Sequence, residues 1–117
     1  MSKIVIIDDS PEDREWLSGL VDKVGGYEVT SFAKMDPALD FLSENNVSVI
    51  LLDFRLDAEM GIVYAGAIRS RAPNTRIIIV TGQEFPGLSS ICSVFGAGFL
   101  TKQELTADKL RVAISFA

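Results

Sequence analysis

Short apolar segments alternate with helix-like segments along the whole chain, and this alternation constrains the fold more than any other feature. Residues 4–7, 47–52 and 77–80 are continuous runs rich in Ile, Val and Leu, as expected of strands buried on both faces. Residues 27–32 and 99–101 are predicted to be shorter or more exposed strands. Strict alternation of strands and helices requires a parallel sheet with right-handed crossovers. The predicted class is therefore α/β, a doubly wound parallel sheet of five strand–helix pairs with helices on both faces.

Capping residues, prolines and glycines mark where the helices begin and end. Ser10 followed by Pro11 predicts an N-cap and a first helical position, and Gly25-Gly26 stops this helix with backbone conformations of positive φ. Asp36-Pro37 repeats the cap-then-proline signal, and Asn45-Asn46 closes the second helix. Three more helices are predicted at residues 61–71, from Glu84 or Leu88 to Phe95, and from about Thr106 to the C-terminus. The buried stripe of the first helix is predicted to comprise Trp16, Leu17, Leu20, Val21 and Val24.

Length and charge limit the classes of protein to which the chain can belong. A chain of 117 residues that is 48% hydrophobic is expected to form one domain, residues 1–117. Eleven basic and sixteen acidic residues give a net charge of -5, so we expect no direct binding of nucleic acid or of an anionic membrane surface. No apolar segment approaches the roughly 20 residues that span a bilayer, and the N-terminus runs directly into a strand. A cytoplasmic location is expected.

The inventory of reactive side chains excludes several kinds of catalysis. The chain has no histidine, which removes the commonest general base and the commonest ligand of transition metals. Its single cysteine, Cys92, cannot form an internal disulfide and is interpreted as a core residue. Neither Ser/His/Asp nor Cys/His catalysis is therefore possible.

Polar residues follow the predicted strands at the points where the strands end. Asp8-Asp9 follows the first strand, Asp53 the third, Thr81 the fourth and Thr101-Lys102 the fifth. In a parallel sheet the carboxyl ends of all strands lie at one edge, where ligands bind. We therefore expect these side chains to share one site.

Carboxylates gathered in this way need a positive charge to remain ionised together. A hard cation with oxygen ligands supplies that charge, and Mg²⁺ is the best candidate. A carboxylate beside Mg²⁺, with a hydroxyl and an ammonium group to hold the equatorial oxygens, suits in-line attack on a phosphoryl donor. The predicted product is an aspartyl phosphate.

Over its whole length the chain resembles the receiver domains of two-component response regulators. The resemblance is carried by the acidic pair Asp8-Asp9, the central Asp53, Thr81, Phe99 and Lys102. It implies a flavodoxin-like (βα)5 fold with strand order 2-1-3-4-5. It also implies that a sensor histidine kinase or a phosphotransfer protein donates a phosphoryl group to Asp53.

The resemblance assigns the metal ligands residue by residue. Asp8 and Asp9 would organise Mg²⁺, one directly and one partly through water. Asp53 would contribute a ligand and accept the phosphoryl group. The backbone carbonyl of Arg55 would complete the protein ligands.

The same resemblance assigns the residues that sense phosphorylation. Thr81 would hydrogen-bond the phosphoryl group, Lys102 would be its counter-ion, and Phe99 would be the aromatic residue that swings inward when Thr81 moves. Arg55 and Gln83 occupy the positions that tune receivers, two residues after the aspartate and two after the threonine. We hypothesise that the permanent charge of Arg55 alters the lifetime of the aspartyl phosphate.

The chain keeps one family spacing and departs from three other features. The glycine found eight residues after the acceptor is present, as Gly61 follows Asp53 at that distance. The usual proline of that segment is replaced by Asp57. Gln103 follows the lysine where many members have a cis proline, so a trans bond is expected. The segment before the aromatic position is one residue shorter than usual.

The output of such a switch must come from outside this domain or from self-association. The resemblance implies that the face formed by helix 4, strand 5 and helix 5 contacts an output domain or a partner protein. A homodimer is a further route, and the sequence leaves open whether the receiver was cut from a longer regulator.

Two other functions compete with this interpretation. A pseudo-receiver would keep the fold and the acids and act by constitutive protein contacts. A small hydrolase with an aspartate nucleophile would turn over a phosphate ester many times. Acceptance of one phosphoryl group per chain separates the phosphorylated receiver from both.

Overall fold

A computed structural model describes residues 1–56 and 59–115, without the side chain of Glu59. Within these residues one sheet contains five parallel strands: β1 Ser2–Ile7, β2 Tyr27–Phe32, β3 Val49–Asp53, β4 Arg76–Thr81 and β5 Gly98–Thr101. The strands lie in the order β2-β1-β3-β4-β5. This order confirms the doubly wound flavodoxin-like fold and its 2-1-3-4-5 topology.

Five α-helices connect or follow these strands in the described part of the chain: α1 Pro11–Val24, α2 Met35–Glu44, α3 Ala65–Arg71, α4 Leu88–Val94 and α5 Ala107–Ser115. Two short 3-10 helices, Gly61–Tyr64 and Lys102–Glu104, precede α3 and α5. None of the helices in the described ranges is long and apolar enough to cross a membrane.

The sheet separates two apolar cores because alternate residues of each strand point to opposite faces. In β1, Ile4 and Ile6 belong to the core that includes residues of α1 and α5, whereas Val5 and Ile7 belong to the core that includes residues of α2, α3 and α4. All four are fully buried. This two-sided burial explains why the strands are continuous apolar runs rather than alternating ones.

Helix α1 follows its predicted boundaries but not its whole predicted face. Ser10 caps it by accepting a hydrogen bond from the backbone N–H of Asp13, and Pro11 occupies the first position. Leu17 is buried, but the side chain of Trp16 is 37% exposed, so its assignment to the core was wrong. Trp16 precedes Leu17 by one residue and therefore points about 100° away from the stripe.

Several boundaries differ from those predicted. Helix α2 begins at Met35 after Lys34, and Asp36-Pro37 lies inside its first turn, where a proline sacrifices no intrahelical bond. Residues 61–71 begin as a 3-10 helix and become α-helical only at Ala65. Strand β3 starts at Val49 rather than at Val47.

A short antiparallel hairpin, Arg55–Leu56 with Glu59–Met60, follows β3 and was not predicted. The predicted departure at Asp57 falls outside the described residues. Cys92 is buried as predicted, and burial raises the pKa of its thiol, which keeps it in the unreactive protonated form.

Candidate functional site

Three carboxylates come together at the carboxyl edge of the sheet. Asp8 directly follows β1 and Asp53 is the last residue of β3, the neighbouring strand. One carboxylate oxygen from each of Asp8, Asp9 and Asp53 lies within 4.8 Å of the others. The structure thus brings together the acids that the sequence places at strand ends.

Asp8 is held rigidly by both its backbone and its side chain. Its N–H donates to the carbonyl of Phe32 at 3.0 Å, and its Oδ1 accepts from the N–H of Ser10 at 2.9 Å. Its carbonyl accepts from Nη1 of Arg14 at 2.7 Å. Its second carboxylate oxygen, Oδ2, is therefore directed at the site, and Asp8 is only 1% exposed.

The backbone around Asp53 is fixed on two sides. The N–H of Phe54 donates to the carbonyl of Val80 at 2.9 Å, which extends the pairing of β3 with β4 beyond Asp53. On the other side the N–H of Gly61 reaches the carbonyl of Phe54 at 2.5 Å. A Cβ at Gly61 would overlap the carbonyl oxygen of Asp53, so the close approach requires glycine.

Lys102 joins the acids through its ammonium group. Its Nζ donates to Oδ2 of Asp8 at 3.1 Å, to Oδ2 of Asp13 at 2.8 Å and to Oδ1 of Asp53 at 3.5 Å. An ammonium has three N–H donors, and each therefore has a carboxylate partner. Lys102 lies where the sequence places it, and Asp13 is an additional partner that sequence reasoning did not assign to the site.

The environment of Asp53 makes its carboxyl easier to protonate than an ordinary aspartate. The pKa of Asp53 is raised to about 6, first by burial and then by the negative charge of Asp8, and Lys102 and the backbone N–H of Arg55 limit the rise. Burial alone would lower the pKa of Lys102, but hydrogen bonds to Asp13 and Asp8 and the charges of Asp53 and Asp8 hold it above its usual value. The Nζ of Lys102 contacts three acids and lies farther from Asp53 than from Asp8 or Asp13. This explains why its charge does not offset the effect of burial on the pKa of Asp53.

Thr81 and Gln83 lie beside Asp53 in one cleft. The hydroxyl of Thr81 is buried at the end of β4 and donates to the carbonyl of Gln83 at 3.3 Å. The cleft has a volume of about 570 Å³, and its lining includes Asp53, Arg55, Thr81, Gln83 and Lys102. The side chains of Arg55 and Gln83 are exposed at its rim. A phosphoryl group on Asp53 would enter a space bordered by a hydroxyl and an ammonium.

Phe99 lies two strand positions before Thr101, the residue paired with Thr81. It is half-buried and packs against the core that contains Ile79, its partner on β4. Among the described residues no peptide bond is cis, so the bond from Lys102 to Gln103 is trans as predicted. The inward swing of Phe99 stays a prediction.

The donor set fits a hard divalent cation. Asp8, Asp9 and Asp53 offer only oxygen atoms, and their negative charges together with Asp13 exceed the single positive charge of Lys102. The raised pKa of Asp53, caused first by burial and then by the negative charge of Asp8, means that ionising this carboxyl costs free energy unless more positive charge is nearby. A divalent cation would supply it.

Sequence reasoning missed two residues that organise the site. Neither Asp13 nor Arg14 is assigned to the site by the sequence analysis. Because Ser10 caps the helix, Asp13 lies in its first turn, close in sequence to Asp8-Asp9. Its proximity to the site could therefore have been predicted from the sequence. Nothing in the sequence indicates which neighbour Arg14 contacts.

The comparisons with known proteins agree with this fold. The family model of the response regulator receiver domain matches residues 4–115. The chain belongs to this family, the receiver domains of two-component response regulators.

Individual relatives have similar domains and different lengths. A probable chemotaxis protein CheY of Rhizobium etli is 27% identical, over 96% of this chain and 88% of its own. The glycerol metabolism activator of Pseudomonas putida is 31% identical over 87% of this chain, which spans only 48% of the activator. The structure of chemotaxis protein CheY4 of Vibrio cholerae aligns with a TM-score of 0.86 and 26% identity, over 99% of this chain and 98% of its own.

Proposed function

We propose that the chain is a single receiver domain that accepts a phosphoryl group on Asp53 in the presence of Mg²⁺. The donor is a histidine kinase or a phosphotransfer protein of a cytoplasmic two-component pathway. The observation that carries the proposal is the joint placement of Asp8, Asp9, Asp53 and Lys102 at one edge of the sheet. With Thr81, these are five polar residues at or directly after the ends of four neighbouring strands, an arrangement that chance explains poorly.

The side chains divide the work of phosphoryl transfer. Asp8, Asp9, Asp53 and the backbone carbonyl of Arg55 would hold the cation, which when bound offsets the negative charge of the acids and of the donor. A carboxylate oxygen of Asp53 attacks phosphorus while the donor departs in line. The ammonium group of Lys102 then pairs with the negative charge on the oxygens of the transferred phosphoryl group.

The response to phosphorylation begins at Thr81. Its hydroxyl can exchange the carbonyl of Gln83, a weak partner at 3.3 Å, for a phosphoryl oxygen. Movement of Thr81 would free space next to Phe99 and change the face formed by α4, β5 and α5. That face would contact an output domain, a partner protein or a second copy of the chain.

Intact-mass spectrometry with a small phosphodonor tests the proposal. Incubation with phosphoramidate and Mg²⁺ should add one phosphoryl group per chain, and Asp53→Asn or removal of Mg²⁺ with EDTA should abolish the gain. Asp40→Asn is a matched control because Asp40 is exposed on α2 and belongs neither to the acidic group nor to the lining of the cleft. An unmodified wild-type chain under saturating donor would instead identify a pseudo-receiver, and turnover of many equivalents would identify a hydrolase.

A further inference from the structure

The shortest ion pair of Lys102 is with Asp13 and not with the acceptor Asp53. Its Nζ lies 2.8 Å from Asp13 on α1 but 3.5 Å from Asp53, the residue on which a phosphoryl group would sit. The Asp13 side chain is 38% exposed and that of Lys102 is 19% exposed. Asp13 therefore holds the ammonium from the solvent side of the cluster.

Asp13 is fixed well enough to act on Lys102. Its backbone N–H donates to the hydroxyl of the N-cap Ser10 at 3.3 Å, which places it in the first turn of α1. A carboxylate there is stabilised by the positive end of the helix dipole. Asp13 also lies outside the set formed by Asp8, Asp9 and Asp53, so a cation held by that set does not need Asp13 as a ligand.

We propose that Asp13 is a positioning residue that withholds Lys102 from the phosphoryl group and so slows phosphoryl acceptance by Asp53. The inference rests on the proposed function. The inference goes beyond that function because it assigns a restraining role to Asp13, which is not a metal ligand, the acceptor or a contact of the phosphoryl group.

The charge balance of the transfer explains the restraint. A bond forms between an Asp53 oxygen and phosphorus, the bond from phosphorus to the donor breaks, and the donor keeps that electron pair. The negative charge of the Asp53 carboxylate is thereby replaced by charge on the phosphoryl oxygens. Lys102 has no unused N–H, so it can follow that charge only by lengthening or breaking a bond, and its shortest bond is the one to Asp13.

Kinetics of acceptance test this role with three variants at position 13 and its neighbour. Asp13→Asn keeps a hydrogen-bond acceptor but loses the charge, and it should raise the maximal rate of phosphorylation by phosphoramidate roughly three- to tenfold. Asp13→Glu keeps the ion pair and should stay near the wild-type rate. Glu12→Gln removes the same charge from an exposed neighbour in the same helical turn, and should change mainly the donor concentration at half-saturation.

A second background separates restraint of Lys102 from general repulsion of the donor. In a Lys102→Met background Asp13→Asn should no longer raise the maximal rate. A gain that persists there, or an equal gain in Glu12→Gln, overturns the inference while leaving the proposed function intact. A wild-type chain that accepts no phosphoryl group overturns both.

The contact itself has a readout that is independent of phosphorylation. Urea-unfolding midpoints of wild type, Asp13→Asn, Lys102→Met and the double variant form a double-mutant cycle. The midpoint shifts should be clearly non-additive if the two side chains interact in solution. Additive shifts contradict the restraint.

Discussion

Gly61 packs directly against the backbone carbonyl of Asp53. A Cβ at position 61 would overlap that oxygen, and the Gly61 N–H also donates to the carbonyl of Phe54, the next residue after Asp53. The eight-residue spacing between the acceptor and this glycine therefore has a steric cause. It lets the segment after β3 fold back on the end of its own strand.

Gly61→Ala should displace the acceptor and destabilise the domain. Relief of the overlap requires a backbone shift, so we expect the free energy of unfolding to fall by about 2–3 kcal/mol. Denaturant unfolding measures this loss, and the yield of phosphorylated protein should fall with it. Gly66→Ala is the matched control, because position 66 has open space in α3 and alanine there should be neutral or stabilising by up to about 1 kcal/mol.

The buried acceptor should make the stability of the metal-free chain depend on pH. Burial raises the pKa of Asp53 from 3.8 to about 6, so the folded state favours its neutral form. The associated stability is present below pH 4 and is lost as pH rises through 6. Asp53→Asn, which stays neutral, should therefore be more stable than wild type above pH 6, by at most about 3 kcal/mol.

Paired unfolding measurements in EDTA at several pH values check this expectation. The advantage of Asp53→Asn should shrink steadily between pH 6 and pH 4, whereas Asp40→Asn should show no such trend. An advantage that grows as the pH falls would reverse the sign we derive.

Arg55 should control how long the phosphoryl group survives. Its side chain is exposed at the rim of the cleft and carries a permanent charge, so it can pair with the phosphoryl oxygens and hinder the approach of water. Arg55→Ala should shorten the half-life of the aspartyl phosphate by roughly a factor of three, on the scale of one exposed ion pair. Arg55→Lys keeps the charge, so its aspartyl phosphate should have a half-life between those of wild type and Arg55→Ala. Equal half-lives for wild type and Arg55→Ala would contradict the hypothesis.

Helix α5 should contribute to stability through one face only. Leu110 is fully buried in the core shared with α1, whereas Val112 is 55% exposed on the same helix. Leu110→Ala should cost about 2–5 kcal/mol, and Val112→Ala should stay within about 0.5 kcal/mol of wild type. Thermal or urea unfolding of both variants compares the two faces.

The sheet and its acidic edge could be predicted from the sequence because they depend on local patterns of residues. Runs such as 4–7 and 77–80 identify strands, and the residues that end them must share an edge once the sheet is parallel. Asp8, Asp9 and Asp53 could therefore be placed together without coordinates.

Features that depend on tertiary contact were not readable in the same way. The bond of Arg14 to the carbonyl of Asp8 and the exposure of Trp16 follow from how α1 is rotated against the sheet, which helical periodicity fixes only approximately. The hairpin after β3 arises because Gly61 must return to Asp53, a constraint that residues 55–60 do not carry by themselves.

The two anchored flanks of Asp53 give the acceptor very few degrees of freedom. The N–H of the next residue, Phe54, donates to the carbonyl of Val80, and the carbonyl of Asp53 itself packs against Gly61. We therefore expect Asp53 to reorient mainly by rotation of its side-chain torsions. Thr81, by contrast, is followed by the exposed segment 82–84. We therefore expect the Asp53 side of the cleft to stay fixed and the Thr81 side to move on phosphorylation, so differences in response between variants of the domain should originate on the Thr81 side.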